Sequence, residues 1–448
     1  MNILLISPNT LTVPYPVYPI GLDYVAAAVA DRHQVRIADL NVVDRDALRR
    51  IIEELRPEVI GISCRNIDNT EAGAPLPFID SYRELIAWLR RQSNAVLVLG
   101  GSGFTILPQP FLAAVGADFG IIGEGERFRS FIDALETGRE VAALTGVITA
   151  GQPAVYPPPW SGEQQRLCAD RTDHHQFYIA NGGMLNLQTK RGCAFTCLYC
   201  PYPHIEGHRH RLQPPDQVAR NARLLQEAGA RYLFITDSAF NSDTPHSLAV
   251  ARAFKKQGVT IPWGGFFAPL KPPDGYFQTM REAGLKHVEF GTESLCEQML
   301  RVYRKPFRGD DVRAAHAQAR AAGLHVAHYF LFGGPSESRA TVTASLDAIE
   351  QLERAALFFF IGIRVYPNTL LYDIALAEGK ITSQTNLLRP FFYEADGIDR
   401  TAVEALVVER AGGRANWIIG SGGETVAATI KTMHARRFSG PLWEYLIR

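Results

Sequence analysis

What most limits the fold of this chain is a rhythm that runs through it twice: short apolar runs of strand length, each followed by a helical stretch. In the first 137 residues the runs fall at 3–6, 35–40, 59–63, 95–99 and 119–122. Helical stretches lie at 22–31, 45–55 and 80–91, and a further one ends at 136. Leu48, Ile51, Ile52 and Leu55 repeat at the spacing of one helix face. Runs that are apolar throughout read as strands buried on both sides, and their alternation with helices gives a parallel sheet covered by helices. The predicted fold class is α/β, beginning with a Rossmann-like doubly wound domain over 1–149. Ligands of such a domain bind at the carboxyl ends of its strands.

Residues 150–183 include Pro157-Pro158-Pro159 and a polar stretch at 170–175, and read as a linker. The alternation restarts at 184, with strands at 184–189, 232–236, 261–266, 287–290, 326–332 and 357–364, and helices such as 216–228 and 310–322. Six such units fit a second open sheet or a partial (β/α)6 barrel of the TIM type, and pattern alone leaves both open. This module spans 184–390, and 391–448 forms a C-terminal extension with no readable role.

Composition excludes several classes. Lys+Arg and Asp+Glu both number 46, so the chain lacks the basic excess of a protein that holds nucleic acid through bulk charge. Apolar residues are 46% and charged residues 21%, values of a globular chain and not of a disordered one. No run approaches the roughly 18 apolar residues of a membrane span. Met1-Asn2-Ile3-Leu4 has no charged segment before its apolar run, so it reads as a first strand and not a signal peptide, and a cytoplasmic protein is expected.

Of six cysteines, three fall within eight residues, in Arg191-Gly192-Cys193-Ala194-Phe195-Thr196-Cys197-Leu198-Tyr199-Cys200-Pro201. This CxxxCxxC follows the first strand of the second module. It is too tight for a disulfide framework and points to metal. Three thiolates on one loop suit a cubane 4Fe–4S cluster whose fourth iron stays open, much as a catalytic zinc keeps an open position. A structural zinc taking His204 or His208 as fourth ligand is the competing reading.

The triplet, with Tyr199 just before its third cysteine, resembles the motif of the radical S-adenosylmethionine (SAM) superfamily, over roughly residues 184–370. The resemblance implies a partial six-stranded barrel and a cluster on Cys193, Cys197 and Cys200. It further implies that the open iron binds the amino and carboxylate groups of SAM, and that reductive cleavage yields a carbon radical. Other residues at strand ends fit the same pattern. Asp237 and Ser238 stand where the superfamily often has Gly-Gly-Glu, which implies contact with the SAM amino group; a turn or helix cap is the alternative. Gly291-Thr292-Glu293-Ser294 looks like the family's Gly-x-Glu-Ser, placing Glu293 and Ser294 near the ribose or ammonium, with a dipole-favoured helix carboxylate as the alternative. Gly333 and Gly334 offer bare backbone to adenine or methionine, with a simple tight turn as the alternative. Arg364 ends the sixth strand and points towards the barrel mouth, where it suits a ligand carboxylate; pairing with a local acid is the alternative.

A Rossmann-like module ahead of such a barrel resembles the cobalamin-binding class of the superfamily. The matching stretches are Pro19-Ile20-Gly21-Leu22, Arg65-Asn66-Ile67-Asp68-Asn69, Gly100-Gly101-Ser102-Gly103 and Gly123-Glu124-Gly125-Glu126. Gly100 and Gly101 are expected to let backbone approach the cofactor tail, and Gly123 and Glu124 to open a helix end that favours anionic groups. The Asp-x-His-x-x-Gly of cobalamin proteins that supply a histidine to cobalt is missing, so the axial ligand is unassigned. The implied activity is radical methyl transfer, dependent on cobalamin, to a small-molecule, lipid or natural-product substrate. A reducing donor such as flavodoxin or ferredoxin would supply electrons. One alternative is cobalamin-free transfer of SAM's 3-amino-3-carboxypropyl group to a heteroatom such as trivalent arsenic, as in arsinothricin biosynthesis. The thiols of Cys64 and Cys168 would suit it if they faced a cavity between the domains. The other is a non-catalytic metal- or SAM-binding sensor.

Overall fold

A computed structural model describes residues 1–13, 15–167 and 173–447. Strands β1 (Asn2–Ser7), β2 (Gln34–Asp39), β3 (Val59–Ser63), β4 (Val96–Gly100), β5 (Phe119–Ile121) and β6 (Val147–Ile148) form one sheet in the order β2-β1-β3-β4-β5-β6. All pairings are parallel except β5 with β6. The direction of winding reverses between β1 and β3, which is where a doubly wound sheet opens a ligand crevice at its carboxyl edge. The helix Arg45–Leu55 buries Leu48, Ile51, Ile52 and Leu55, the stripe expected from the sequence, and Asp44 caps it by accepting from Ala47 N at 2.8 Å.

The second sheet holds β7 (Met184–Leu187), β8 (Tyr232–Ile235), β9 (Trp263–Phe267), β10 (Leu285–Glu293), β11 (His325–Phe332), β12 (Ala355–Ile361) and β13 (Trp417–Ile419), in sequence order from one edge to the other. Every pairing is parallel. That order settles the alternative left by the pattern. Right-handed crossovers between strands laid down in sequence all fall on one face, so helices cover one side and the other encloses a lumen: an open, partial barrel. Side chains alternate accordingly. Leu233, Val288, Phe290, Val326 and Phe330 pack with the helices in one apolar core.

Two segments differ from expectation. The stretch read as a linker contains a helix, Asp173–Ala180, whose Tyr178 is fully buried and donates to Asp39 Oδ2 at 2.5 Å. The C-terminal stretch supplies β13 and then closes the barrel floor. Trp443 Nε1 donates to Glu289 Oε1 at 3.0 Å, and Glu444 accepts from Tyr232 OH at 2.7 Å and lies 2.7 Å from His325 Nδ1. Among the described residues, no helix is long and apolar enough to cross a membrane.

Candidate active site

The cysteine loop is held from below. Asp237, just past β8, is buried and accepts from Thr189 N (2.8 Å), Thr189 Oγ1 (2.5 Å) and Lys190 Nζ (3.0 Å). Lys190 also donates to the carbonyls of Ala239 and Phe240. Two residues on, Gly192 has φ +86°, and a Cβ there would stand 2.1 Å from the Arg209 carbonyl oxygen. Only glycine fits, because the strand must turn hard into the loop. Gly192 N donates to Glu206 Oε2 at 3.0 Å, and Cys193 N to the Gly207 carbonyl at 3.1 Å.

Cys193 is buried, while Cys197 and Cys200 are half-buried and joined by a turn in which Cys200 N donates to the Cys197 carbonyl at 3.2 Å. Burial pushes the Cys200 thiol up to about 12, and the charges of Cys197 and Cys193 add to this against a hydrogen bond from the Tyr202 backbone. Burial also raises Cys197, against the pull of the Lys305 ammonium. Burial thus disfavours the thiolates of Cys197 and Cys200 in the protein alone, and ligation to a metal would supply the charge that ionises them. Among the described residues, no three His, Cys, Asp or Glu side chains gather around a point where one ion could sit, so the zinc set with His204 or His208 is not formed. A cubane asks something different: each thiolate reaches its own iron, and three cysteines spread along one loop fit that donor set.

Beside the triplet lies a polar group of three. Tyr199 OH donates to Glu293 Oε1 at 2.6 Å, and Lys305 Nζ pairs with Glu293 Oε2 at 2.7 Å. Burial works to lower the Lys305 ammonium, but Glu293 and Cys197 outweigh it and hold it above its usual range. Glu293 adopts φ +58°, where the β10–β11 register slips. That backbone costs a non-glycine residue on the order of 1–3 kcal/mol and aims the carboxylate at Tyr199 and Lys305.

Several residues singled out in the sequence are placed otherwise. Asp237 is saturated by Thr189 and Lys190, so it positions the cysteine loop and has no capacity left for a SAM ammonium. Ser238 Oγ reaches back to the Gly192 carbonyl at 3.4 Å. Ser294 is fully buried against Ser345 Oγ at 3.3 Å and accepts from Cys296 N, which makes it part of the helix layer. Gly333 N and Gly334 N donate to Glu337 Oε2 at 2.5 and 3.0 Å, and a Cβ on Gly334 would strike the Tyr303 ring, so Gly334 makes room for a neighbouring side chain and not for a ligand. Arg364 does not reach the mouth. Its Nε donates to Asp68 Oδ2 of the first domain at 2.8 Å, and its other nitrogens to the Val365 and Leu387 carbonyls. Glu124 pairs with Arg211 and accepts from Trp160 N at 2.5 Å, leaving it bound to the protein itself. Cys64 is fully buried beneath Gly101 and Gly103, so it does not face the interdomain space, and Cys168 lies outside the described residues.

Between the domains is a cavity of about 600 Å³. Its first wall is the carboxyl edge of the N-terminal sheet, including Gly21, Ser63, Arg65, Gly100, Gly101 and Gly123. A Cβ on Gly21 would meet nothing within 4 Å, and one on Gly100 only the Ile121 carbonyl at 3.9 Å, so the backbone here is bare toward open space. Gly101 instead closes on the Cys64 backbone at 3.0 Å. Arg65 lines the cavity as an exposed side chain, with no hydrogen-bond partner for its guanidinium among the described residues. The opposite wall comes from the barrel: Asn186, Gln188, Tyr202, Phe234 and Phe266. This glycine-bare crevice at a topological switch point fits the tail and ring of a large planar cofactor. Arg65 lies in one of the stretches matched above, whereas Lys305 and Asn186 sit in no motif and matter only through their three-dimensional neighbours.

Residues 6–131 match the B12 binding domain, and residues 187–349 match the Radical SAM superfamily. The chain carries a B12-binding domain followed by a radical SAM domain. This chain is 26% identical to an uncharacterized methyltransferase of Pyrococcus horikoshii, over 84% of each chain. It is 24% identical to the tryptophan 2-C-methyltransferase of Streptomyces laurentii, over 82% of this chain and 73% of that one. Its fold superposes on the radical SAM methyltransferase TsrM of Kitasatospora setae, solved with tryptophan substrate and a SAM analog, with a TM-score of 0.87, 22% identity and coverage of 99% of this chain and 97% of that one.

Proposed function

We propose that this enzyme is a cobalamin-dependent radical SAM methyltransferase acting on a small molecule. The carrying observation is that a single cavity is walled by the bare carboxyl edge of the B12-binding domain on one side and, on the other, by the barrel lumen and by Tyr202, two residues past the cysteine triplet. Two cofactors and a substrate could meet there. Methyltransferases recur among the relatives it resembles, which supports the same reading.

When bound, a cluster on Cys193, Cys197 and Cys200 supplies an electron for opening a sulfonium, and cobalamin in the glycine-bare crevice supplies methyl-transfer chemistry. The chain's own residues prepare the site. Lys190 and Asp237 fix the start of the cysteine loop, and Lys305 and Tyr199 hold the Glu293 carboxylate aimed beside the triplet. The apolar barrel wall excludes water from a reactive carbon centre. A reduced flavodoxin or ferredoxin is the proposed electron source.

The deciding experiment uses anaerobically reconstituted protein with SAM, reductant and a host extract, and reads nucleoside products by mass spectrometry with and without cobalamin. S-adenosylhomocysteine formed only with cobalamin supports the proposal. 5′-Methylthioadenosine formed without any cobalamin requirement overturns it in favour of aminocarboxypropyl transfer, and metal binding without any SAM cleavage overturns it in favour of a sensor.

A further inference from the structure

Phe266, on β9, belongs to the barrel wall of the cavity and is 39% exposed. Its edge contacts are made: Phe234 lies 5.2 Å away at 77°, and Tyr329 lies 6.2 Å away at 65°. Tyr329 in turn stacks on Phe358 at 4.8 Å and 9°. These rings form an aromatic wall, and Phe266 is the member still open. A large apolar ring left open inside a walled cavity is a flat surface without a partner, and removing it from water is favourable for whatever covers it.

A second, independent observation lies on the same wall. Asn186 of β7 pairs in register with Phe234 of β8 and lines the same cavity. The residue is only 5% exposed, and no side-chain hydrogen bond is made by its amide among the described residues, so the little surface it keeps is on the cavity it lines. An amide that meets the cavity with its donor and acceptor uncommitted offers both to whatever fills it. The nearby lumen carboxylate, Glu289, is already taken by Tyr329 OH at 2.8 Å and Trp443 Nε1 at 3.0 Å, so this wall offers an amide and π-faces and no spare charge.

We infer that the barrel lumen binds the methyl acceptor as a planar aromatic ring against Phe266, with a neutral hydrogen-bonding group on the ring's edge meeting the Asn186 amide. This deepens the methyltransferase reading by naming its substrate class, and rests on that reading only in taking the occupant to be the acceptor.

The test is equilibrium binding to the reconstituted holoenzyme, by calorimetry or ligand-observed NMR. The probes are 2-naphthol and its saturated counterpart decahydro-2-naphthol, which is more apolar and carries the same hydroxyl. The expected result is preference for 2-naphthol. Phe266→Leu should weaken it about three- to tenfold, the range of one aromatic pair, and leave the saturated compound unchanged. Asn186→Ala should weaken both, because both carry the hydroxyl. Circular dichroism and the cluster absorbance verify that each variant is folded and loaded. Equal or tighter binding of the saturated compound overturns the inference, as does no binding of either, or an unchanged affinity in folded Phe266→Leu. The readout is binding, so an enzyme that cleaves SAM but shows no aromatic preference refutes this inference alone, while aromatic binding without methyl transfer refutes the proposed function alone.

Discussion

Lys305 is the residue whose importance the sequence conceals best. It lies a hundred positions from the cysteines, yet its ammonium neutralises Glu293 and lies near Cys197. Lys305→Met would leave Glu293 nearly buried with only Tyr199 as partner. Removing one member of such a pair costs on the order of 3–5 kcal/mol, more than the pair itself contributes. Urea denaturation should show that loss, and the double variant with Glu293→Gln should recover part of it; strict additivity would mean the two do not interact. Glu337 makes a different residue-scale prediction. Burial raises its carboxyl to about 7, even though Gly333 N, Gly334 N and Tyr303 OH all donate to it. A carboxyl raised on folding stabilises the fold fully at pH below its unfolded value near 4.5, and that contribution is lost as pH climbs toward 7. Wild-type stability should therefore fall across pH 4.5–7 by up to ~3 kcal/mol relative to Glu337→Gln, read from thermal unfolding at a series of pH values. Parallel pH profiles for the two proteins would show that Glu337 titrates normally.

At the scale of the element, the loop after β7 shows what a sequence reveals and what it withholds. CxxxCxxC is legible because its spacing is itself the chemistry. The role of Asp237 is not, because a carboxylate at a strand end looks the same whether it faces a ligand or a lysine one strand away. Here Lys190 has no exposed side-chain surface, so the pair is structural. The same ambiguity misplaced Ser294 and Gly334: their positions at strand ends are right, but what each meets there is set by Ser345 and Tyr303, side chains from other elements of the barrel. Asp237→Asn should therefore destabilise the protein and lower cluster content, read by iron and sulfide analysis, before it alters SAM affinity. Ser238→Ala, losing only a 3.4 Å contact, should shift stability by less than about 0.5 kcal/mol. A folded, fully loaded Asp237→Asn enzyme that binds SAM weakly would restore the ligand-contact reading.

At the scale of the whole molecule, both α/β modules and their order along the chain were legible from periodicity, because buried parallel strands leave unbroken apolar runs. The seventh strand and the barrel floor were not, since Trp417–Ile419 is too short to stand out and Trp443 and Glu444 act only through distant partners. Nor was the seam between modules. Arg364 is buried and tied to Asp68, Arg191 lies 2.8 Å from Glu126 and stacks over Tyr24, and Arg211 pairs with Glu124. Arg191 sits two residues before Cys193, so the seam that fixes the relation of the domains also anchors the loop that would carry the cluster. Buried ion pairs contribute little net stability, yet they fix geometry, because a half-broken pair is expensive. Arg364→Met should strand Asp68 in the interface and uncouple the modules. In urea, monitored by far-ultraviolet circular dichroism and tryptophan fluorescence together, the wild type should lose both signals in closer concert than the variant. The variant's transitions should separate, the first shifted to lower urea by the cost of an unpaired buried carboxylate. Coincident transitions with an unchanged midpoint would mean that the two modules are held by their apolar contacts alone, and that the arginine seam only follows a geometry set elsewhere.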